Sequence, residues 1–230
     1  MQDKPLGPDP RRESLLLAML DHVPFDGWTD TAFRAAARDA GIPPDMARVI
    51  APRGGVDLAV DYHRRGDARM IARLADTDLS ARRMRDRIAA AVRYRIDEAD
   101  REIVRRGMTL FALPQNAATG ASLLWGTADA IWTALGDTSQ DVNWYSKRAT
   151  LSAVYSATVL YWLGDHSDGY LDTWDFLDRR IDGVMRFEKA KARLKEIPVL
   201  GRLMSGPLNP LNHVQAPGRM PDDLPGRVQS

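Results

Sequence analysis

The sequence contains no cysteine, so it can form neither disulfides nor thiolate metal sites. Its net charge of +1 gives no general attraction to nucleic acid or to acidic partners. The first ten residues are polar and proline-rich, and they lack the apolar stretch of a secretory signal. We interpret them as a disordered leader. With 230 residues, the chain is long enough for one sizeable domain or two small ones.

Long apolar runs are missing as well. The uncharged stretch from Gly107 to Ala128 has sufficient length but contains Pro114 and several glycines. The stretch from Ala149 to Gly164 is more uniformly apolar, yet it is shorter than the roughly 20 residues that a membrane-spanning helix needs. We therefore interpret both stretches as buried helices.

Motifs for catalysis are also missing. The sequence has no nucleophile elbow, phosphate loop or dinucleotide fingerprint. Its four histidines (His22, His63, His166 and His213) are interpreted as isolated, without the partner at helical spacing that metal sites use. We predict no enzyme activity, no metal and no cofactor.

Helical periodicity runs through the chain, which predicts an all-α fold. Pro24 is expected to end the first helix, and Gly66 could kink the fourth. Asp141 or Asn143 would cap the helix that carries the aromatic residues. The predicted helices cover 11–23, 29–40, 43–50, 56–75, 80–113, 119–135, 143–164 and 170–191.

The predicted helix over 80–113 is rich in arginine in its first half and alternates in charge in its second. Such a pattern favours a solvated face with ion pairs four residues apart, and the alternative is a binding patch. The domain boundaries that we predict are a leader (1–10), a helix-turn-helix-like head (11–52), a helical body (53–192), an amphipathic segment (193–206) and a disordered tail (207–230).

The body concentrates the aromatic residues. Five of the six tryptophans lie within residues 125–174, beside leucines and interspersed small residues. Aromatic side chains commonly fill cores, but a body this apolar could also enclose a ligand pocket. The candidate lipid-binding residues are Leu110, Phe111, Leu113, Leu123, Leu124, Trp125, Val154, Tyr155, Thr158, Trp162, Trp174 and Leu177.

Two further segments suggest contacts. Trp144 and Tyr145 are adjacent and precede Lys147-Arg148, which is typical either of an interface hot spot or of a half-buried cap. Near the C-terminus, a basic run leads into an apolar stretch, as in interfacial membrane anchors. The alternative is docking on the body or on a sister subunit. The predicted membrane-contact residues are Ile197, Leu200, Leu203 and Met204.

Two resemblances rest on particular motifs. Gly27-Trp28-Thr29 and Ala40-Gly41-Ile42 resemble the three-helix head of tetracycline-repressor-type (TetR) regulators. Residues 113–116, 136–148 and 171–177 (LPQN, GDTSQDVNWYSKR and LDTWDFL) resemble the COQ9 family of lipid-binding proteins of ubiquinone biosynthesis. The second resemblance covers about residues 11 to 195.

The resemblance implies a TetR-like all-α fold and an isoprenoid lipid or ubiquinone precursor bound in the body. It also implies presentation of that lipid to a ring hydroxylase at a membrane surface, by a homodimer that is not an enzyme. Carried over, the partner-docking residues are Asp129, Ile131, Asp141, Trp144, Tyr145 and Arg148.

The predicted recognition segment, Pro43 to Val49, departs from the repressor pattern because Asp45 offsets Arg48 and no tyrosine or lysine offers a phosphate contact. We therefore expect no nucleic-acid partner, and a ligand-responsive transcriptional regulator is the alternative function. Because no transit peptide is recognisable, the predicted location is the cytoplasm, peripheral on the inner membrane of a bacterium.

Overall fold

The computed structural model describes residues 9–140 and 142–195, and these ranges are helical without a strand. The prediction of an all-α fold is confirmed for them. A 3-10 turn over Asp168–Tyr170 precedes the last helix. The helices are α1 (Pro10–Asp26), α2 (Asp30–Asp39), α3 (Pro44–Ile50), α4 (Gly55–Ala75), α5 (Met84–Asp97), α6 (Arg101–Ala112), α7 (Pro114–Ala134), α8 (Val142–Gly164) and α9 (Leu171–Lys195).

Several helix starts follow from local side-chain chemistry. The Asp9 carboxylate accepts from the Arg11 backbone N–H, and the Thr29 hydroxyl accepts from that of Ala32. Pro44 and Pro114 occupy the first turns of α3 and α7, where the missing N–H costs no helical hydrogen bond. These caps and prolines set the residues at which α1, α2, α3 and α7 begin.

Three local predictions were wrong. The first helix continues through Pro24, which lies in its last turn, and ends at Gly27 with a φ of 68°. The charged segment over 80–113 is two helices, because the Asp100 carboxylate caps a new one by accepting from the Ile103 N–H at 3.0 Å. The α4 helix runs continuously through Gly66, whose role is to let another side chain approach.

The buried side chains form two clusters. One joins α1, α2 and α3 to the start of α4, where Leu58 and Ala59 lie. The other joins the end of α4, where Met70 and Leu74 lie, to α5, α7, α8 and α9. Because α4 contributes to both clusters, it ties the head to the body.

Candidate functional site

A cavity of about 400 Å³ lies among α4, α5, α6, α7 and α8. Trp28, from the connection between α1 and α2, also lines it. The lining is mostly apolar, and α6 supplies a run of side chains at helical spacing. Its large apolar lining residues are Ile96, Ile103, Val104, Met108, Phe111, Leu123, Leu124, Val159 and Trp162.

Small residues keep the cavity open and bring its helices close. Gly107, Gly120, Ala117 and Ala121 lie on its wall. A Cβ atom at Gly120 would come within 2.8 Å of the Phe111 Cβ, so glycine is required for the close approach of α6 and α7. The open volume therefore depends on residues that lack side-chain bulk.

One side of the cavity is polar, and we call Tyr62, His63, Arg95 and Tyr155 its polar wall. Behind it, the Asp67 carboxylate accepts from the Arg95 Nε at 2.7 Å and from the Thr127 hydroxyl at 2.9 Å. The Arg95 Nη2 donates to the His63 carbonyl at 3.0 Å. These bonds hold a guanidinium with only 3% exposure beside an apolar space.

Gly66 makes the position of Arg95 possible. A Cβ atom there would lie 2.6 Å from both the Cζ and the Nη1 of Arg95. A side chain at this position would force the guanidinium to shift. Gly66 therefore marks a site of close approach between α4 and α5, and the helix is not kinked there.

His63 is neutral at pH 7, because burial and the charge of Arg95 lower its pKa to about 4. Its Nε2 lies 2.8 Å from the Thr127 hydroxyl and 3.7 Å from the Asp67 carboxylate. The interpretation of His63 as isolated was therefore wrong, since Asp67 lies four residues further along the same helix. No group of three or more potential metal ligands occurs within the described residues.

The predicted lipid-binding residues separate into two sets. Phe111, Leu123, Leu124, Tyr155 and Trp162 line the cavity. The others lie elsewhere: Leu113 is 43% exposed, Thr158 and Leu177 are buried in the body, and Val154 lines a second cavity of about 490 Å³ between the ends of α5, α7, α8 and α9. Leu110 packs against the head core, Trp125 against Trp144, and the Trp174 indole lies under Arg93.

The sequence did not predict Trp28, the polar wall apart from Tyr155, or the apolar stripe of α6 apart from Phe111. That stripe was visible in principle, since Ile103, Gly107 and Phe111 recur every four residues. Trp28 and the polar wall are brought to the cavity by packing between distant segments, for which one sequence carries no local pattern.

A second feature, which we call the aromatic surface, consists of Trp125, Trp144 and Tyr145. Trp144 and Tyr145 meet edge to face with ring centroids 4.8 Å apart, and the Trp125 ring lies 5.9 Å from that of Trp144. All three are partly exposed. Together they present a continuous aromatic patch at the start of α8.

Ion pairs hold the buried Arg148 side chain against the aromatic surface. The Arg148 guanidinium lies 4.0 Å from the centroid of the Trp144 ring and donates to Asp129 at 2.6 Å and to Asp137 at 3.1 Å. Although burial acts to raise it, hydrogen bonds from Lys147, Ser139 and Arg148 lower the pKa of Asp137 to about 2.

Among the predicted docking residues, Trp144, Tyr145 and Asp129 reach the surface. Arg148 is 2% exposed and Ile131 is fully buried, so these two support the patch and offer no contact area of their own. Asp141 and the membrane-contact residues Ile197, Leu200, Leu203 and Met204 lie outside the described residues. None of the helices in the described ranges is long and apolar enough to cross a membrane.

The α3 helix, which is the predicted recognition segment, presents little free positive charge for phosphate. Arg48 on α3 is paired with the Asp30 carboxylate and lies over the Phe33 ring at 4.8 Å. The exposed side chains beside it on α3 include Met46 and Val49. Since sequence-independent DNA binding relies on cations that neutralise phosphates, this composition disfavours the regulator alternative.

Comparison with known proteins agrees with the resemblance inferred from the motifs. The COQ9 family model matches residues 117–188. The COQ9 proteins of Rattus norvegicus and Drosophila melanogaster, both named mitochondrial ubiquinone biosynthesis proteins, are each 31% identical to the chain. The first alignment covers 79% of this chain and 61% of the relative, and the second covers 78% and 57%.

The Homo sapiens COQ9 protein is 30% identical over 79% of this chain and 59% of its own length. The chain thus spans about 60% of the length of these curated relatives. A solved TetR transcriptional regulator from Nitrosomonas europaea superposes with a TM-score of 0.60 at 18% identity, covering 76% of this chain and 97% of that one. This similarity confirms the TetR-like fold.

The comparisons overturn one prediction. The relatives are named mitochondrial proteins, which contradicts the predicted location on the inner membrane of a bacterium. That prediction depended on the first residues of the sequence, and the chain matches only part of each relative. The matched family residues and the relatives show that the chain belongs to the COQ9 family and carries the TetR-like helical fold.

Proposed function

We propose that the chain is a non-catalytic accessory protein of ubiquinone biosynthesis that binds an isoprenoid lipid or ubiquinone precursor in its body. The observation that supports this most strongly is the cavity of about 400 Å³ with its largely apolar lining. Its volume falls within the range of about 300–1,000 Å³ that small-molecule sites occupy. The names of the relatives supply the pathway.

The energetics of such a carrier need no bond-making chemistry. Burial of apolar surface stabilises a complex by about 0.8 kcal/mol per CH₂ group. A prenyl tail inside the cavity would recover much of the free energy that it loses on leaving a bilayer. The head group of the lipid could then be offered to an enzyme.

The aromatic surface supports the second part of the proposal, in which the bound lipid is presented to a ring hydroxylase. Partly exposed tryptophan and tyrosine side chains over a buried arginine have the composition of interaction hot spots. Because Arg148 is already paired with two carboxylates, the surface offers the partner aromatic faces more than charge. Membrane contact through residues 193–206 and a homodimer complete the proposal.

Mass spectrometry of an organic extract from the purified protein, kept free of detergent, tests the lipid proposal. We expect a prenylated lipid at near-stoichiometric amount in the wild type. The Val104→Trp variant should lose it, because the larger side chain would occupy the cavity that Val104 lines. Val49→Trp is the matched control, since Val49 is 74% exposed on α3.

Two results would count against the lipid proposal. An extract without lipid from the folded wild type would favour a docking scaffold. Equal lipid content in Val104→Trp and Val49→Trp would place any bound lipid outside the cavity. Circular dichroism of both variants establishes that they are folded.

A further inference from the structure

The polar wall of the cavity holds a hydrogen-bond donor that none of the described residues uses. Tyr155 is 5% exposed, and its hydroxyl makes no hydrogen bond with any residue that the structure describes. The indole nitrogens of Trp28 and Trp162 are also unpaired but fully sealed, whereas the Tyr155 hydroxyl is not. Tyr155 is one of the residues that line the cavity.

Arg95 adds a second donor beside it. Its Nε and Nη2 are used by Asp67 and by the His63 carbonyl, while Nη1 has no hydrogen-bond partner in the described ranges. The guanidinium lies 6.0 Å from the centroid of the Tyr155 ring. A donor that faces an apolar cavity without an acceptor gains from a ligand that supplies one.

The charges behind the wall decide which acceptor fits. The Asp67 carboxylate already neutralises the Arg95 guanidinium at 2.7 Å. His63 adds no charge at neutral pH, because burial lowers its pKa. Burial also raises the pKa of Tyr155, so its phenol stays protonated and can donate. The wall is therefore neutral in sum and would disfavour a second buried anion.

We propose that the polar wall is a head-group subsite, in which the Tyr155 hydroxyl and the Arg95 guanidinium donate hydrogen bonds to a neutral oxygen acceptor, such as a quinone, ketone or phenol oxygen. This inference rests on the proposed lipid-binding function and specifies the orientation of the ligand. The apolar tail lies against α6 and α7, and the oxygenated ring lies against α4, α5 and Tyr155. A carboxylate or phosphate head group is disfavoured by its charge.

Isothermal titration with two probes tests the subsite. Geranyl-1,4-benzoquinone and geranylbenzene share a ring and a tail, but only the first carries oxygen atoms. We expect Tyr155→Phe to weaken binding of the quinone by about three- to tenfold, the effect of one neutral hydrogen bond, and to leave geranylbenzene unchanged. Equal losses for both probes, or no loss for either, would overturn the subsite.

A matched control separates this effect from a structural one. Tyr161→Phe is the same substitution on the same helix, at a ring that is 38% exposed and stacked on Phe176 at 4.5 Å. It should change neither affinity. Because the Tyr155 hydroxyl has no hydrogen-bond partner among the described residues, Tyr155→Phe should keep the thermal midpoint of the unliganded protein. A clear decrease would show that the hydroxyl is structural and would overturn the assignment.

A third probe, geranylgeranoic acid at pH 7.5, tests the preference for a neutral head group. We expect it to bind more weakly than a quinone with the same tail. Carboxylate binding that is tighter than quinone binding and sensitive to Tyr155→Phe would overturn the neutral-oxygen specificity.

If geranylbenzene binds and the quinone binds no more tightly than geranylbenzene, the cavity binds lipid but the subsite is absent. If no probe binds the wild type, the proposed lipid-binding function fails as well.

Discussion

The cavity and the aromatic surface both use α7 and α8, but they satisfy their polar groups in opposite ways. At the aromatic surface, Arg148 is paired with Asp129 and Asp137 and lies against the Trp144 ring. At the cavity, the Tyr155 hydroxyl has no partner in the described chain. An arginine whose ion pairs are all made within the protein favours a rigid surface that binds a macromolecule. A hydrogen-bond donor without a partner in an apolar cavity favours the binding of a small ligand.

The largest effect that we expect concerns protonation of His63. In the folded protein its pKa is lowered to about 4 from the ordinary value of 6.5, chiefly by burial. As the pH falls below 6.5, the unfolded chain takes up this proton first, so the free energy of unfolding decreases until about pH 4. The loss should amount to about 3 kcal/mol.

The variant His63→Gln tests this directly, because glutamine keeps a donor for Thr127 and has no charge change in this range. Urea unfolding at pH 7.5, 6 and 4.5 should show a shallower pH dependence in the variant than in the wild type. Parallel stability curves would show that His63 is not the group responsible.

The next largest effect on stability is expected at Gly66, against which the Arg95 guanidinium packs. Gly66→Ala should destabilise the protein by about 2 kcal/mol, because the added methyl group pushes the guanidinium away from Asp67. Gly126→Ala is the matched control within a helix, since a Cβ atom there meets nothing within 4 Å. It should be neutral or stabilise by up to about 1 kcal/mol. Equal effects in chemical unfolding would remove Arg95 from the explanation.

The aromatic surface is where we expect the smallest effect on stability, and the effect of a substitution there should appear in partner binding. Trp144→Ala should weaken binding of the proposed ring-hydroxylase partner about tenfold or more in a pull-down, while the content of the proposed lipid stays unchanged. Tyr161→Ala, on the exposed part of the same helix, is the control and should bind normally. Undiminished hydroxylase binding by Trp144→Ala would contradict the docking role of the aromatic surface.

The sequence predicted the helices where their ends are marked by local chemistry. Thr29 and Pro44 lie at helix starts in the structure, as predicted. Pro114 was expected to end one helix, with the next beginning at 119, but α7 begins at Pro114 itself. Asp100 carries the same kind of signal, but the charged residues on both sides of it suggested one continuous helix. The break at Asp100 could therefore have been predicted from its capping side chain.

The site was less accessible to prediction. Leu123, Tyr155 and Trp162 reach the cavity from the aromatic body, as the sequence suggested. Trp28 and Arg95 reach it through packing between segments far apart in the chain, and the pairing of Gly66 with Arg95 depends on how closely two helices approach. Such contacts leave no periodic pattern in a single sequence.

Photo-crosslinking tests the central claim most directly. A farnesyl probe with a diazirine on its terminal isoprene unit would be bound, irradiated and mapped by peptide mass spectrometry. We predict labelling of α6 and the start of α7, around Met108, Phe111 and Gly120, and its loss in Val104→Trp. Labelling confined to the aromatic surface or the second cavity, unaffected by Val104→Trp, would contradict the account.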